Sequence, residues 1–224
     1  VDHVLSLTHF RKIAEKRSSY PSKYDLMHEI FQDLGVKHLI MPQESSFLLV
    51  DEMRQRGYLV EAGPAPFFQE RYQKTKEERK YIEQSQKVVF STIRMVRDVL
   101  QKSRIKGNRL VYKGKALSSE AVRSMIDVYL MEKGFIAQET IVSCGKDSVD
   151  PHSVGHGLLK PHSSIIVDIF PKSGKTQYYG DATRTFCRGK APDGLKRMYA
   201  TVKKGQEMGL GMVKAGISGK KIHD

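Results

Sequence analysis

The chain contains no tryptophan and only two cysteines, Cys144 and Cys187, among 224 residues. So few thiols exclude a disulfide framework, and neither stands at metal-ligand spacing from the other, which leaves two reduced, structural thiols. Nowhere does an apolar run approach the roughly 18 residues that cross a bilayer. The chain also opens without a basic segment followed by an apolar one, so the expectation is a cytoplasmic protein with no membrane contact. Acid is the scarcer charge: 25 Asp and Glu face 38 Lys and Arg, a formal net of +13. A surplus of that size invites a polyanion partner. The basic residues, however, are mixed with Glu over Lys74–Lys87, spread through Arg94–Lys115 and scattered again over Lys190–Lys221, and no nucleic-acid motif accompanies them. A solvated basic surface is therefore expected, and a nucleic-acid partner is not. Hydrophobic residues, at 39%, suffice for the core of one or two domains, which excludes a disordered chain.

The first 63 positions read as a small α/β unit. Ser22 caps a helix in which Leu26, Met27, Ile30, Phe31 and Leu34 recur at helical spacing, and Gly35 ends it. Val36 to Met41 reads as a buried strand. A helix over Ser46 to Arg56 places Phe47, Val50 and Met53 on one face, Gly57 ends it, and Tyr58 to Glu61 is the next strand. Gly63-Pro64-Ala65-Pro66 then breaks regular structure, because proline fixes φ and removes a donor, and marks a linker over 64–74.

Thr75-Lys76-Glu77-Glu78 is a capping box that opens a second domain. Ile82, Val89, Ile93, Val96 and Leu100 form one apolar stripe behind it, and Val122, Met125, Ile126 and Tyr129 form another after Ser118. Glu139 to Cys144 reads as a strand. A long helix over Asp193 to Val213 uses Leu195, Met198, Tyr199, Val202 and Leu210, weakened by Gly205, Gly209 and Gly211. Ser218 caps one more helix, whose first turn is Gly219 to Ile222.

Chemistry concentrates at two aspartates. Asp168 lies in the apolar run Ile165-Ile166-Val167-Asp168-Ile169, and Asp181 lies in Tyr178-Tyr179-Gly180-Asp181-Ala182-Thr183-Arg184-Thr185-Phe186. The two runs read as a β-hairpin with Ser173 and Gly174 as its turn, which sets Asp181 opposite Ile166 and on the face of Asp168. The carboxylates are then diagonal neighbours, roughly 7–8 Å apart at the backbone. That is room for two metal ions roughly 3.5–4 Å apart.

Three motifs in this order, Asp150-Pro151-His152, Val167-Asp168-Ile169 and Tyr178 to Phe186, carry a resemblance. The segment from Thr75 to Asp224 resembles the pita-bread metallopeptidases, which include methionine aminopeptidase, prolidase, aminopeptidase P and creatinase. It is most similar to the branch of aminopeptidase P and prolidase (Xaa-Pro dipeptidase). The resemblance implies an α/β N-terminal unit, residues 1–63, followed after the linker by an α+β pita-bread (creatinase/aminopeptidase-like) domain over 75–224. It implies an exopeptidase that hydrolyses Xaa-Pro bonds at the N-terminus of peptides with proline second. Two divalent ions, Mn²⁺ foremost with Co²⁺ or Zn²⁺ as alternatives, are held by two Asp, one His and two Glu, and their bridging hydroxide attacks the scissile carbonyl. A homodimer is an allowed assembly.

Of those ligands the resemblance places Asp168 and Asp181 alone, since the His and both Glu lie further along the chain in the family. It therefore implies a domain incomplete at its C-terminus, a first unit clipped at its start, and little or no peptidase activity for these 224 residues alone. His152 is expected to donate to the substrate carbonyl rather than to bind metal. Thr183, two residues after Asp181 and on its face, is expected to hydrogen-bond a ligand carboxylate, and Arg184 to point away into a salt bridge. His156 in Gly155-His156-Gly157 looks like the family's ligand motif but precedes both aspartates, and reads as a loop residue. His162 reads as a turn residue. His3, His9, His28, His38 and His223 have no carboxylate partner in sequence and read as surface or packing residues. The alternative is a non-catalytic pita-bread module that binds peptides or nucleic acid.

Overall fold

A computed structural model describes residues 5–223, so His3 and Asp224 lie outside the described residues. The chain divides into two compact units, Val1–Lys74 and Thr75–Asp224.

In the first unit, helix α1 (Leu7–Ala14), which the sequence reading did not anticipate, buries Phe10 and Ala14 and packs on α2 (Lys23–Asp33). A capping box starts α2: Asp25 N–H donates to Ser22 Oγ at 3.2 Å, and Ser22 N–H donates to Asp25 Oδ2 at 2.8 Å. Strands β1 (His38–Met41) and β2 (Leu59–Ala62) pair in parallel on either side of α3 (Phe47–Gln55). Met41, Met53, Tyr58 and Val60 form the core, with Tyr24, Met27 and Phe31 of α2 against them. The helices cover one face of this two-stranded sheet, which corrects the expectation of a buried first strand: Ile40 and Leu59 stay 57% exposed. Phe47, expected on the inner face of α3, sits at its first turn and is also exposed.

In the second unit, α4 (Lys76–Lys102) begins at the Thr75–Glu78 capping box, and Ser85, Val89, Thr92, Ile93, Val96, Val99 and Leu100 make its buried stripe. It leads into a three-stranded antiparallel meander, β3 (Arg104–Lys106), β4 (Arg109–Tyr112) and β5 (Lys115–Ala116). Helix α5 (Ser119–Glu132), capped by Ser118, buries Val122, Ile126 and Leu130. The short strands β6 (Phe135–Ile136) and β9 (Lys172–Ser173) pair with each other. The sheet that matters for the site has the order β10 (Ala182–Phe186), β8 (Ile165–Ile169), β7 (Ile141–Cys144), all antiparallel. Strand β8 alternates: Ile165, Val167 and Ile169 join Val89, Val96, Ile126 and Leu130 in the core, while Ile166 and Asp168 face the other way.

Helix α6 (Asp193–Met212) forms as expected, and α7 (Gly219–His223) follows. The apolar stripe of α6 is not buried, however. Met198, Tyr199, Val202 and Leu210 are exposed, because nothing among the described residues packs over them.

Candidate metal centre

The hairpin of β8 and β10 pairs Thr183 with Asp168 and Ala182 with Ile169. The same register continues to the bridge of Lys172 with Tyr179. This corrects the sequence reading, which put the turn at Ser173-Gly174 and Asp181 opposite Ile166. Ser173 is itself paired: its N–H donates to Tyr178 O at 3.0 Å, and the turn is the four residues between. Ser173 Oγ caps that turn by accepting from Thr176 N–H at 3.1 Å, and Gln177 takes φ +63° to close it. Asp168 now stands opposite Thr183, two residues past Asp181, so the carboxylates remain diagonal neighbours on one face, roughly 7–8 Å apart at the backbone.

On that face Asp168 lies in a row between Ile141 of β7 and Thr183 of β10. Thr183 Oγ1 donates to Asp168 Oδ1 at 2.5 Å. Asp181, just ahead of β10, is held through its backbone. Its N–H donates to Gln86 Oε1 at 3.1 Å, and Gln86 Nε2 donates to its carbonyl at 2.8 Å, so a side-chain amide on α4 replaces a neighbouring strand. Ser85 Oγ donates to Tyr178 O at 3.0 Å, and Tyr178 Oη donates to Glu78 Oε1 at 2.8 Å. Gly180 permits this docking, since a Cβ there would fall 2.7 Å from the backbone C and O of Ser85. Burial raises the Asp181 carboxyl above its ordinary value, and the negative charge of Asp168 raises it further.

Over the Asp168 face lies the 148–151 loop. Together they enclose a cleft of about 220 Å³ lined by Ile141, Ser143, Ile166, Asp168 and Thr183 from the sheet and by Ser148, Val149, Asp150 and Pro151 from the loop. His152 follows at the cleft's margin and is exposed. Its N–H donates to Asp150 Oδ1 at 2.8 Å, an Asx turn that fixes where the imidazole leaves the backbone.

The loop is pinned at its far end by residues that sequence reasoning passed over. Arg123 Nη1 on α5 donates to the carbonyls of Val154 and Gly155, the latter at 2.8 Å. Glu120 accepts from Gly157 N–H at 3.0 Å, a bond that holds its carboxyl down to about 2. A Cβ on Gly155 would fall 2.0 Å from Val142 O, and its φ is +77°, so only glycine fits. Gln86, Arg123 and Glu120 lie on the polar faces of amphipathic helices, where nothing in sequence separates a loop anchor from a solvated residue, and Ser85 is a lone polar residue in the buried stripe of α4.

The remaining described histidines fall outside the cleft. His156 Nδ1 sits 3.7 Å from Glu120 Oε1, and His38 Nε2 sits 3.2 Å from Glu61 Oε2 across β1 and β2, carboxylate contacts that sequence separation concealed. His28 Nδ1 contacts Tyr58 Oη, and His162 Nδ1 accepts from Lys190 N–H. Arg184 departs from the expected salt bridge. It donates to Thr183 O and lies 5.5 Å from the ring centre of Phe90, which α4 presents beneath it.

Asp168 and Asp181 thus supply hard oxygen donors and a negative potential that a divalent cation would relieve. Among the described residues no group of three or more His, Cys, Asp or Glu side chains stands together as a metal-binding set, so the chain's own residues fit such an ion in part. No described helix is long and apolar enough to cross a membrane.

Comparison with known proteins matches residues 80–224 to the model of metallopeptidase family M24. A curated relative, the uncharacterised peptidase YqhT of Bacillus subtilis (strain 168), is 27% identical over 149 residues, covering 66% of this chain and 38% of that protein. Among solved structures, the Xaa-Pro dipeptidase of Bacillus anthracis superposes with a TM-score of 0.76 at 18% identity, over 96% of this chain and 59% of that one. The X-Pro aminopeptidase of Thermotoga maritima MSB8 gives 0.71 at 19% identity, over 91% and 55%. The prolidase of Pyrococcus horikoshii OT3 gives 0.71 at 19% identity, over 88% and 54%. The fold is therefore that of the pita-bread peptidases, present in part, and the chain spans about half the length of these solved structures.

Proposed function

Because the chain belongs to metallopeptidase family M24, we propose that Asp168 and Asp181 serve a metal-dependent exopeptidase that hydrolyses Xaa-Pro bonds at the N-terminus of peptides, as an aminopeptidase or as a dipeptidase. The activity is proposed for the whole protein, since this chain spans about half the length of the structures it resembles. The observation that carries the reading is the pair of carboxylates on one face of the hairpin, one of them raised by burial and then by the charge of the other. Two such groups held together cost stability unless a cation joins them. The activities named for the similar structures, an X-Pro aminopeptidase and an Xaa-Pro dipeptidase, support proline as the residue after the scissile bond.

In this reading Asp168 and Asp181 hold divalent ions, Mn²⁺ foremost and Co²⁺ or Zn²⁺ as alternatives, and the other ligands come from elsewhere in the whole protein. Bound ions would supply an acidified water and a polarised carbonyl. The chain's own side chains do the positioning. Thr183 occupies one oxygen of Asp168 and leaves the other for a ligand. Gln86 fixes the backbone on which Asp181 is carried. His152, at the margin of the cleft, donates to the substrate carbonyl as negative charge develops on it. Val149, Pro151, Ile141 and Ile166 give the cleft apolar walls.

The test is Mn²⁺ titration followed by electron paramagnetic resonance. Asp168→Asn and Asp181→Asn are each expected to weaken binding on the order of ten-fold or more, and Thr183→Val by a smaller factor. Binding that survives both aspartate substitutions unchanged overturns the assignment.

A further inference from the structure

Between positions 94 and 115 the sequence holds eight Lys or Arg and one acidic residue, Asp98, more than half of the chain's formal net charge of +13. The fold gathers what the sequence reading took for a scattered surface. Two adjoining clefts, of about 660 and 460 Å³, share Lys102 and Tyr112. The first is lined by Arg104, Lys106 and Lys113, the second by Arg94, Arg97 and Tyr129 of α5, so one cationic track runs from α4 across the β3–β4 hairpin.

The charge of this track is left largely uncompensated. Some basic residues elsewhere find carboxylates, as Arg17 does with Glu29, Arg56 with Asp25 and Lys87 with Glu83. Here Arg97 pairs with Asp98 at 3.1 Å, and among the described residues Arg94, Lys102, Arg104, Lys106 and Lys113 have no carboxylate partner. Like charges so close together repel, and a bound anion would relieve them.

We infer that this track binds the phosphate chain of single-stranded nucleic acid. Arg104 and Lys106 are two residues apart on one strand face, roughly 6.6 Å, and continue into a second cleft, so the surface offers a row of charge rather than a point. Both clefts also hold aromatic rings. Tyr112 and Tyr129 are half-buried, and Lys113 Nζ and Lys133 Nζ lie 5.5 and 4.7 Å from their ring centres. Flat rings beside a cationic groove are where unpaired bases stack, whereas a duplex hides its base faces. Neither cleft is lined by an exposed large apolar side chain of the kind a lipid surface would take up.

The test is fluorescence anisotropy of a fluorescein-labelled oligouridylate of about a dozen nucleotides against the full chain. Binding is expected with a log–log salt slope of about −3, four phosphate contacts at about −0.7 each. The triple substitution Lys102→Glu, Arg104→Glu, Lys106→Glu should weaken it about 100-fold at low salt and flatten the slope by about 2. The milder triple Lys102→Gln, Arg104→Gln, Lys106→Gln covers the case in which charge reversal disturbs folding, checked by circular dichroism. A control with the same charge change on α6 and beyond, Lys203→Glu, Lys204→Glu, Lys214→Glu, should stay within about two-fold of wild type. No saturable binding, or equal loss in the control, overturns the inference. So does a heparin fragment or a duplex of equal charge that competes as well as the single strand, since the surface then reads charge alone.

Discussion

Replacing Gly180 by alanine probes the platform that carries Asp181. The new Cβ would lie 2.7 Å from the backbone C and O of Ser85 and 2.9 Å from Gln86 N, all main-chain atoms of a 27-residue helix that cannot yield. The 178–181 segment must therefore lift off α4. Three bonds depend on its seat: Ser85 Oγ to Tyr178 O, and the two between Gln86 and the Asp181 backbone. At about 1 kcal/mol net per hydrogen bond, the loss should be about 3 kcal/mol. Equilibrium unfolding in urea gives the value, with Gly194→Ala as control, because nothing lies within 4 Å of that Cβ and alanine suits a helix. Gln86→Ala alone should cost about 2 kcal/mol, and the double variant should cost clearly less than the sum, since the bonds removed by one change are already lost in the other. A Gly180→Ala variant within about 0.5 kcal/mol of wild type, or strict additivity with Gln86→Ala, would refute the platform.

Other outcomes follow from the same contacts. Arg123→Met should free the loop that carries His152, because two carbonyls lose their charged donor; faster amide exchange over 153–157 and a loss of about 2 kcal/mol are expected. Ile126→Ala empties a fully buried site between α5 and the sheet and should cost about 3 kcal/mol in the same denaturation experiment. For pH, Arg56 and Ser22 hold Asp25 down from 3.8 to about 2. A carboxyl lowered on folding stabilises above its unfolded value, and that contribution fades as pH falls from near 4 through 2. Its side chain is 36% exposed, so solvent screening reduces the effect to about 1 kcal/mol, and Arg56→Gln should shrink this segment of the stability–pH curve to the part that Ser22 supplies.

The face shared by Asp168 and Asp181 could be read from sequence even though the turn was misread. A strand repeats every two residues, and the true turn shifts the partner of Asp181 from Ile166 to the position of Phe170, an even step that preserves the face. The caps at Ser22, Thr75 and Ser118 were legible because their chemistry is local. The short meander strands β3 to β5 were not, since three basic residues in Arg104–Lys106 and Arg109 blur any apolar alternation. Nor was the exposed stripe of α6, because periodicity states which residues share a face and not whether anything covers it. Arg123, Gln86 and Gly155 act through backbone atoms more than 30 residues away or in a neighbouring strand, contacts that only the fold creates.

The most direct measurement is hydrolysis of Xaa-Pro peptides by the protein in its genomic length, with Mn²⁺ and with chelator, in wild type, Asp168→Asn and Asp181→Asn, against an Xaa-Ala peptide as control. The account predicts metal-dependent release of the N-terminal residue from the Xaa-Pro substrate, abolished by either substitution. Release that persists in chelator or in both variants, or a wild-type protein that binds Mn²⁺ and cleaves neither peptide, would contradict it.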